Sequence, residues 1–280
     1  MIVDAASLPR APARIVSLVP SLTESLFALG LGARVVGVTD WCVHPADEVE
    51  SLPKVGGTKD ADVAAIAALA PDLVIANHEE NTRRVVEKLD AAGLAVWVTY
   101  PRTVREGAVL LRELAALGAT REAVAAVVEP VEAAIAEAER SLPAHRTRVF
   151  CPIWRDPWMS VGRDTYVHSL LELCGGDNVT ADRGDRRYPL VTLDDVVVAA
   201  PEVILLPDEP YAFGPADVAE LGRLGVPAAR DGRIHCVDGT WVSWYGPRIR
   251  TALVRIRSLL DPGRRSQSGA RVTPLRFPTP

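Results

Sequence analysis

Histidine, cysteine and paired carboxylates gather at two points of this chain. Asp40, Trp41, Cys42 and His44 follow one short apolar run, and Asn77, His78, Glu79, Glu80 and Asn81 follow another. A carboxylate beside a histidine can do general acid/base work, and Glu79, Glu80 or His44 would be the acid/base groups of an enzyme acting on a small cofactor-like substrate. Histidine, cysteine and glutamate are also metal-ligand types, but Cys42-x-His44 and His78-Glu79-Glu80 match no recognised zinc spacing. Adjacent acids such as Glu79 and Glu80 usually point apart, and carboxylates ahead of a helix also oppose its dipole. The chain contains no phosphate loop of the type G-x-x-x-x-G-K-[ST], no G-x-G-x-x-G after a strand, no G-x-S-x-G and no H-E-x-x-H. Ser21 has no obvious histidine partner, and Gly56-Gly57 reads as a turn. Binding is favoured over catalysis, with no catalytic residue, no resident metal and no required cofactor expected.

The aromatic residues point the same way. Trp154, Arg155, Trp158 and Met159 follow one strand-like run; Glu209, Tyr211 and Phe213 follow another; Trp241, Trp244 and Tyr245 follow a third. Aromatics are only 5% of the chain, yet five of the six tryptophans fall in such positions and only Trp97 sits inside a strand. Indole rings on loops that face a cleft offer stiff apolar planes to a flat ligand.

The elements that position these loops alternate. Short β-branched runs at 14–18, 34–38, 71–76 and 94–99 are separated by helical patterns at 21–29, 62–69 and 81–92. Ser21-Leu-Thr-Glu24 reads as a capping box. Strands alternating with helices imply parallel pairing, and ligands of open parallel sheets bind beyond the strands' carboxyl ends. From 103 to 142 the strand signal stops. One helix spans 103–117, and a second runs from Thr120 to about Ser141 with Pro130 as a kink, a rod of roughly 30 Å at 1.5 Å per residue. Alternation resumes with strands at 148–153, 201–206 and 233–237 and helices at 165–173, 193–199, 215–224 and 247–260. Ala70-Pro-Asp-Leu-Val-Ile-Ala and Ala200-Pro-Glu-Val-Ile-Leu-Leu repeat one plan in each half. The expected organisation is an α/β lobe over 1–102, a helical region over 103–142, a second α/β lobe over 143–260 and a disordered tail over 261–280.

Composition excludes several classes. Hydrophobic residues are 48% and charged residues 24%, ordinary for a globular protein. The net charge of −5 argues against nucleic acid as a partner, and no apolar run approaches the ~20 residues of a membrane span. Met1 to Pro12 has no basic segment, apolar stretch or lipobox-like cysteine, so the chain as it stands is expected to be cytoplasmic. The four cysteines, Cys42, Cys151, Cys174 and Cys236, form no C-x-x-C pair and read as reduced, buried thiols. An export signal upstream of Met1 would make the chain a lipoprotein instead.

In order and spacing these signals resemble the cobalamin-binding proteins among the helical-backbone, class III substrate-binding proteins of periplasmic type. The resemblance covers about 14–260 and rests on Arg14-Ile-Val-Ser-Leu-Val-Pro-Ser-Leu-Thr-Glu24, Val36-Gly-Val-Thr-Asp-Trp41 with His44-Pro45, Val55-Gly-Gly57, Pro71-Asp-Leu-Val-Ile-Ala76, Leu173-Cys-Gly-Gly-Asp-Asn178 and Gly246-Pro-Arg-Ile249. It implies two small α/β lobes with parallel sheets joined by one long helix, limited hinge motion, and a corrinoid or related metal chelate held between the lobes; relatives of the family also take haem or ferric siderophores. It places Trp41 and Trp241 at pocket aromatics, Met159 where a pocket phenylalanine stands, with Trp158 beside it, and Asn77 where a tryptophan stands. Trp41, Trp158, Trp241 and Trp244 would grip the ligand, flanked by Trp154, Tyr211 and Tyr245, with Glu79, Glu80 and Arg155 as polar contacts. Members that dock on an ABC permease do so through one surface glutamate per lobe. Those positions hold Arg83 and Ser243, which would not pair with a permease's arginines, so a cytoplasmic member is expected.

Overall fold

The computed structural model describes residues 2–3, 7, 11–184 and 186–261. The N-terminal sheet is built of β1 (Ile2–Val3), β2 (Ile15–Ser17), β3 (Val35–Val38), β4 (Leu73–Asn77) and β5 (Val96–Thr99), all parallel, in the order β1-β5-β4-β2-β3. The second half holds β6 (Thr147–Phe150), β7 (Pro152–Trp154), β8 (Met159–Ser160), β9 (Gly176–Asn178), β10 (Val203–Pro207) and β11 (Ile234–Val237). Four of these form a parallel sheet in the order β11-β10-β6-β9, and β7 pairs with β8 as an antiparallel hairpin.

Side chains that alternate along a strand fall on opposite faces, and here both faces are buried. Ile15, Leu73, Ile75 and Trp97 face one apolar cluster, while Val16, Leu18, Val74, Ala76 and Val96 face another. In the second sheet Val149, Val203 and Leu205 join the first of these clusters, and Phe150, Ile204 and Leu206 face a third. The shared cluster is continuous from one sheet to the other through Leu111 and Leu114 of the helix Val104–Ala116, Val131 and Ile135 of the linking helix, and Ile256 of the helix Ile249–Leu260. Two lobes that share one core have little freedom to swing apart.

The linking helix runs without a break over 121–140. Pro130 lacks the N–H that the preceding turn needs, and Val124–Val128 widens into a π turn just ahead of it. Thr103 and Glu106 close a capping box on the helix before it. Among the described residues no helix is long and apolar enough to cross a membrane.

Several expectations change. The helix Pro20–Ala28 starts on Pro20 with Val19 as its N-cap and no side-chain cap, so Ser21 and Glu24 form no capping box. The helix expected from 81 begins at Arg83, where Thr82 Oγ1 accepts from the Val85 N–H, which leaves Glu79 and Glu80 in a turn outside it. The strand expected over 148–153 breaks at Cys151 into β6 and β7. β1, β9 and the short helices Ala46–Val49, Pro227–Arg230 and Thr240–Ser243 were not expected, and the last of these carries Trp241. Cys42, Cys151 and Cys174 are buried, but Cys236 is exposed on the edge strand β11, and all four are free. Of the tail expected over 261–280, residues 262–280 lie outside the described residues.

Candidate functional site

The loop after β3 alternates inward and outward. Cys42 is fully buried, with its sulfur 3.2 Å from both Thr23 Oγ1 and Thr39 Oγ1. Its neighbour Trp41 is thereby turned outward and stays 65% exposed, beside the turn at Gly57.

After β4 the chain is shaped by two asparagines. Asn77 is buried; its Nδ2 donates to the Thr99 carbonyl at 3.1 Å, and its Oδ1 accepts the N–H of Glu79 at 2.8 Å and of Glu80 at 3.2 Å. Asn81 Oδ1 accepts the Asn77 N–H at 2.8 Å, and its Nδ2 donates to the Thr58 carbonyl at 2.8 Å. Asn77 therefore presents the two glutamates, with its own amide spent inside the lobe. Glu79 reaches the other lobe: its Oε1 accepts from Arg187 Nη2 at 2.9 Å and from the Tyr188 hydroxyl. Burial pushes Glu80 above the ordinary carboxylate range; Lys59 opposes this, and the charges of Glu209 and Glu79 reinforce it. Burial also raises Glu209, against the hydrogen bonds it receives from Ser243 Oγ, at 2.8 Å, and from Trp244. Glu80 and Glu209 thus bring acidic charge to the seam from opposite lobes.

In the C-terminal lobe Trp154, at the end of β7, is 44% exposed and meets Tyr211 edge-on at 5.7 Å. Met159 is its partner across the hairpin. Trp158 is buried within its own lobe, stacked at 5.7 Å on Phe213. Arg155 lies 5.4 Å above the Trp158 ring and is held by Asp217 and, at 2.6 Å, by Glu220. Trp241 is half-buried, with the Arg255 guanidinium 5.7 Å from its ring. Trp244 is buried against an edge of His44 at 5.8 Å, with Arg248 4.9 Å over its face. Tyr245 is buried against Tyr166. The next residue, Gly246, has φ +100° and passes so close to the helix Pro20–Ala28 that a Cβ would lie 2.3 Å from Ser25 Oγ.

The expectation of several indoles free to grip one ligand is therefore corrected. Trp158 packs against Phe213 and Arg155, and Trp244 against His44 and Arg248, because a buried indole is stabilised by apolar and cationic neighbours. Trp41 and Trp154 keep the most open surface. Sequence reasoning missed Arg187, Tyr188, Arg248 and Glu24. They meet only across the lobes; Glu24 and Arg248 stood within sequence motifs, but as a capping residue and part of Gly246-Pro-Arg-Ile249, not as partners. Among the described residues no three His, Cys, Asp or Glu side chains are placed to hold a metal ion. A cavity of about 450 Å³ beside His168 and Asp177, and one of about 520 Å³ beside Pro143 and Val254, are lined by none of the expected ligand-binding residues.

Residues 15–238 match the family described as Periplasmic binding protein. The vitamin B12-binding protein of Pectobacterium atrosepticum is 26% identical over 255 residues, which cover 89% of this chain and 88% of the relative. Among solved structures, the periplasmic vitamin B12 binding protein of Vibrio cholerae superposes with a TM-score of 0.77 at 25% identity, covering 90% of this chain and 98% of that one. The periplasmic haem-binding protein of Roseiflexus sp. RS-1 follows with a TM-score of 0.75 at 29% identity, covering 88% and 97%. These likenesses bear out the two-lobed α/β architecture. They overturn the expectation of a cytoplasmic protein, because the family and both solved relatives are periplasmic.

Proposed function

Since the chain belongs to the periplasmic binding protein family, we propose that it holds a corrinoid or closely related metal chelate, chemically unchanged, in the cleft between its lobes. The observation that carries this reading is the pair of open indoles, Trp41 at 65% and Trp154 at 44% exposure. Trp41 follows β3 and Trp154 follows β6, one parallel-sheet strand in each lobe, on the carboxyl side where an open α/β sheet takes its ligand. Exposed indole is costly surface, and a macrocycle would cover it from both sides. Glu80 is a polar group for the ligand: its raised carboxyl, when protonated, can donate to a ligand amide, whereas Glu79 is held by Arg187 and Tyr188. Arg155 is a poorer candidate, since Asp217 and Glu220 occupy it. The vitamin B12-binding relatives favour a corrinoid, and the haem-binding relative makes haem the second reading.

Docking on an ABC permease through paired glutamates finds no carboxylate at the two matching positions. Arg83 is 91% exposed at its side chain and pairs with Glu87 at 2.7 Å, and Ser243 Oγ is committed to Glu209. A permease that presents acids or neutral donors there suits this surface better than one that presents arginines.

The test is titration of the purified protein with cyanocobalamin, haemin and a ferric siderophore, followed by absorbance and tryptophan fluorescence. Saturable quenching by cyanocobalamin, with the corrinoid recovered intact, is expected. Quenching by haemin alone moves the assignment to haem, and no response to any of the three eliminates the reading.

A further inference from the structure

Beyond β8 the chain returns alongside the hairpin. Gly162 N–H donates to the Arg187 carbonyl at 2.7 Å, Ser160 N–H to the Pro189 carbonyl at 3.0 Å, and Val191 N–H to the Trp158 carbonyl at 3.0 Å. These bonds lay residues 187–191 antiparallel beside β8, with Met159 and Leu190 as the bridge pair. Met159 bridges Leu190 antiparallel and Trp154 on the other side. The bonds flanking Met159 and Leu190 make them a non-hydrogen-bonded pair, the arrangement in which side chains lie closest. Met159 thus lies beside Leu190 on one side and, past a register shift in β7, beside Trp154 on the other.

Two independent observations orient the face that carries Met159 and Leu190. On the opposite face Trp158 and Val191 are buried in the apolar cluster of the C-terminal lobe. On the same face, two residues before Leu190, Tyr188 donates its hydroxyl to Glu79 of the N-terminal lobe. The strip therefore faces away from the outer cluster of its lobe; its inner end is buried at Val161 in the shared core, and its outer end, at Leu190, lies on the side where Tyr188 meets the N-terminal lobe. Leu190 is 45% exposed there, between an exposed indole and a tyrosine bonded to the other lobe.

We propose that Leu190 is a ligand-contacting residue that selects for the apolar rim of a flat macrocycle, on a strip it forms with Trp154 and Met159. This rests on the reading of the cleft as a macrocycle site, and adds a specificity-determining residue to it. A hydrophilic chelate would gain little from the strip; a macrocycle would bury it.

The experiment measures Kd for cyanocobalamin and for haemin with wild type, Leu190→Ala, Leu190→Glu and Val198→Glu. Val198 is 85% exposed on the helix Leu193–Ala199 and serves as a control for added charge. Circular dichroism confirms that each variant is folded. Leu190→Ala is expected to weaken the bound macrocycle about tenfold by the loss of buried apolar area. Leu190→Glu is expected to weaken it roughly a hundredfold by burying a charge, with Val198→Glu unchanged. If wild type binds haemin alone and the Leu190 variants lose it, the strip stands and the corrinoid assignment falls. If wild type binds either probe and the Leu190 variants bind as well, the strip is overturned and the cleft reading survives. If wild type binds neither, both fall together.

Discussion

Arg248 grips both carboxylate oxygens of Glu24, at 2.7 and 2.9 Å, across 224 residues of sequence. The two side chains are 15% and 17% exposed, and Arg248 also donates to Thr240 Oγ1 at 2.7 Å. The pair ties the N-terminal helix Pro20–Ala28 to the start of the helix Ile249–Leu260. Glu24→Ala leaves a half-buried guanidinium without its partner, and breaking such a pair costs up to about 3–5 kcal/mol when fully buried, so about 2 kcal/mol is expected here. At roughly 2–4 °C per kcal/mol for a domain approaching this size, Tm should fall by about 4–8 °C. Arg248→Lys, which loses the two-point geometry, should fall less. A thermal melt checks both, and a double-mutant cycle isolates the coupling.

Trp41 and Trp158 should separate binding from folding. Trp41 is 65% exposed and Trp158 is 9% exposed in the C-terminal core. Trp41→Ala should leave Tm nearly unchanged and weaken macrocycle binding at least tenfold through lost apolar contact. Trp158→Ala should cost about 3–5 kcal/mol of stability by opening a cavity beside Phe213. Chemical denaturation and fluorescence titration of the same two variants give both readings. A binding loss for Trp158→Ala no larger than its stability loss explains would place that ring in the fold alone.

His168 should make the protein acid-sensitive. Its ring is buried, with Nδ1 3.3 Å from Asn178 Nδ2 and Nε2 3.3 Å from Glu172 Oε2. Asn178 Oδ1 already accepts from the Thr180 hydroxyl and N–H, so its amide donates to Nδ1 and the ring proton sits on Nε2. Burial lowers the His168 pKa; Glu172 opposes that, Arg163 reinforces it, and Asp182 and Asp177 oppose it more weakly. The unfolded chain, near 6.5, takes up the proton first as pH falls. Stability from this group is therefore complete above about 6.5 and is lost as pH drops toward the lowered folded value. Tm measured from pH 8 to pH 5 should decline over the lower half of that range, and His168→Gln should flatten the decline.

The sheets were readable because parallel strands buried on both faces are near-continuous apolar runs, as in Leu73–Asn77 and Val203–Pro207. β9, with the sequence Gly-Asp-Asn, carries no such signal; it is a strand only because β6 pairs with it. Ser21-Leu-Thr-Glu24 had the spacing of a capping box, but Pro20 already begins the helix, and Glu24 is better satisfied by a cation from the far end of the chain. The loops at the site were legible from composition. Which indoles stay open was not, since Trp41 and Trp158 differ in their spatial neighbours and not in local pattern. Arg187 and Tyr188 meet Glu79 at separations of 108 and 109 residues, beyond any periodicity.

The bridge from Glu79 to Arg187 and Tyr188 should matter more for kinetics than for stability. Its two charged side chains are 31% and 24% exposed, and an ion pair this accessible to solvent is worth about 1 kcal/mol or less. Arg187 also keeps Asp164 at 3.1 Å as a second counter-charge, so Glu79→Gln should move Tm by no more than roughly 4 °C. If a ligand leaves between Glu79 and residues 187–188, even a small local separation there must break this bridge. Removing charge from Glu79, or the hydroxyl in Tyr188→Phe, lowers the barrier to opening without touching the apolar surfaces. The expected result is a ligand off-rate several-fold faster, with a smaller rise in the on-rate, measured by stopped-flow chase of bound macrocycle. An off-rate unchanged in both variants would mean that ligand escapes by another edge of the seam.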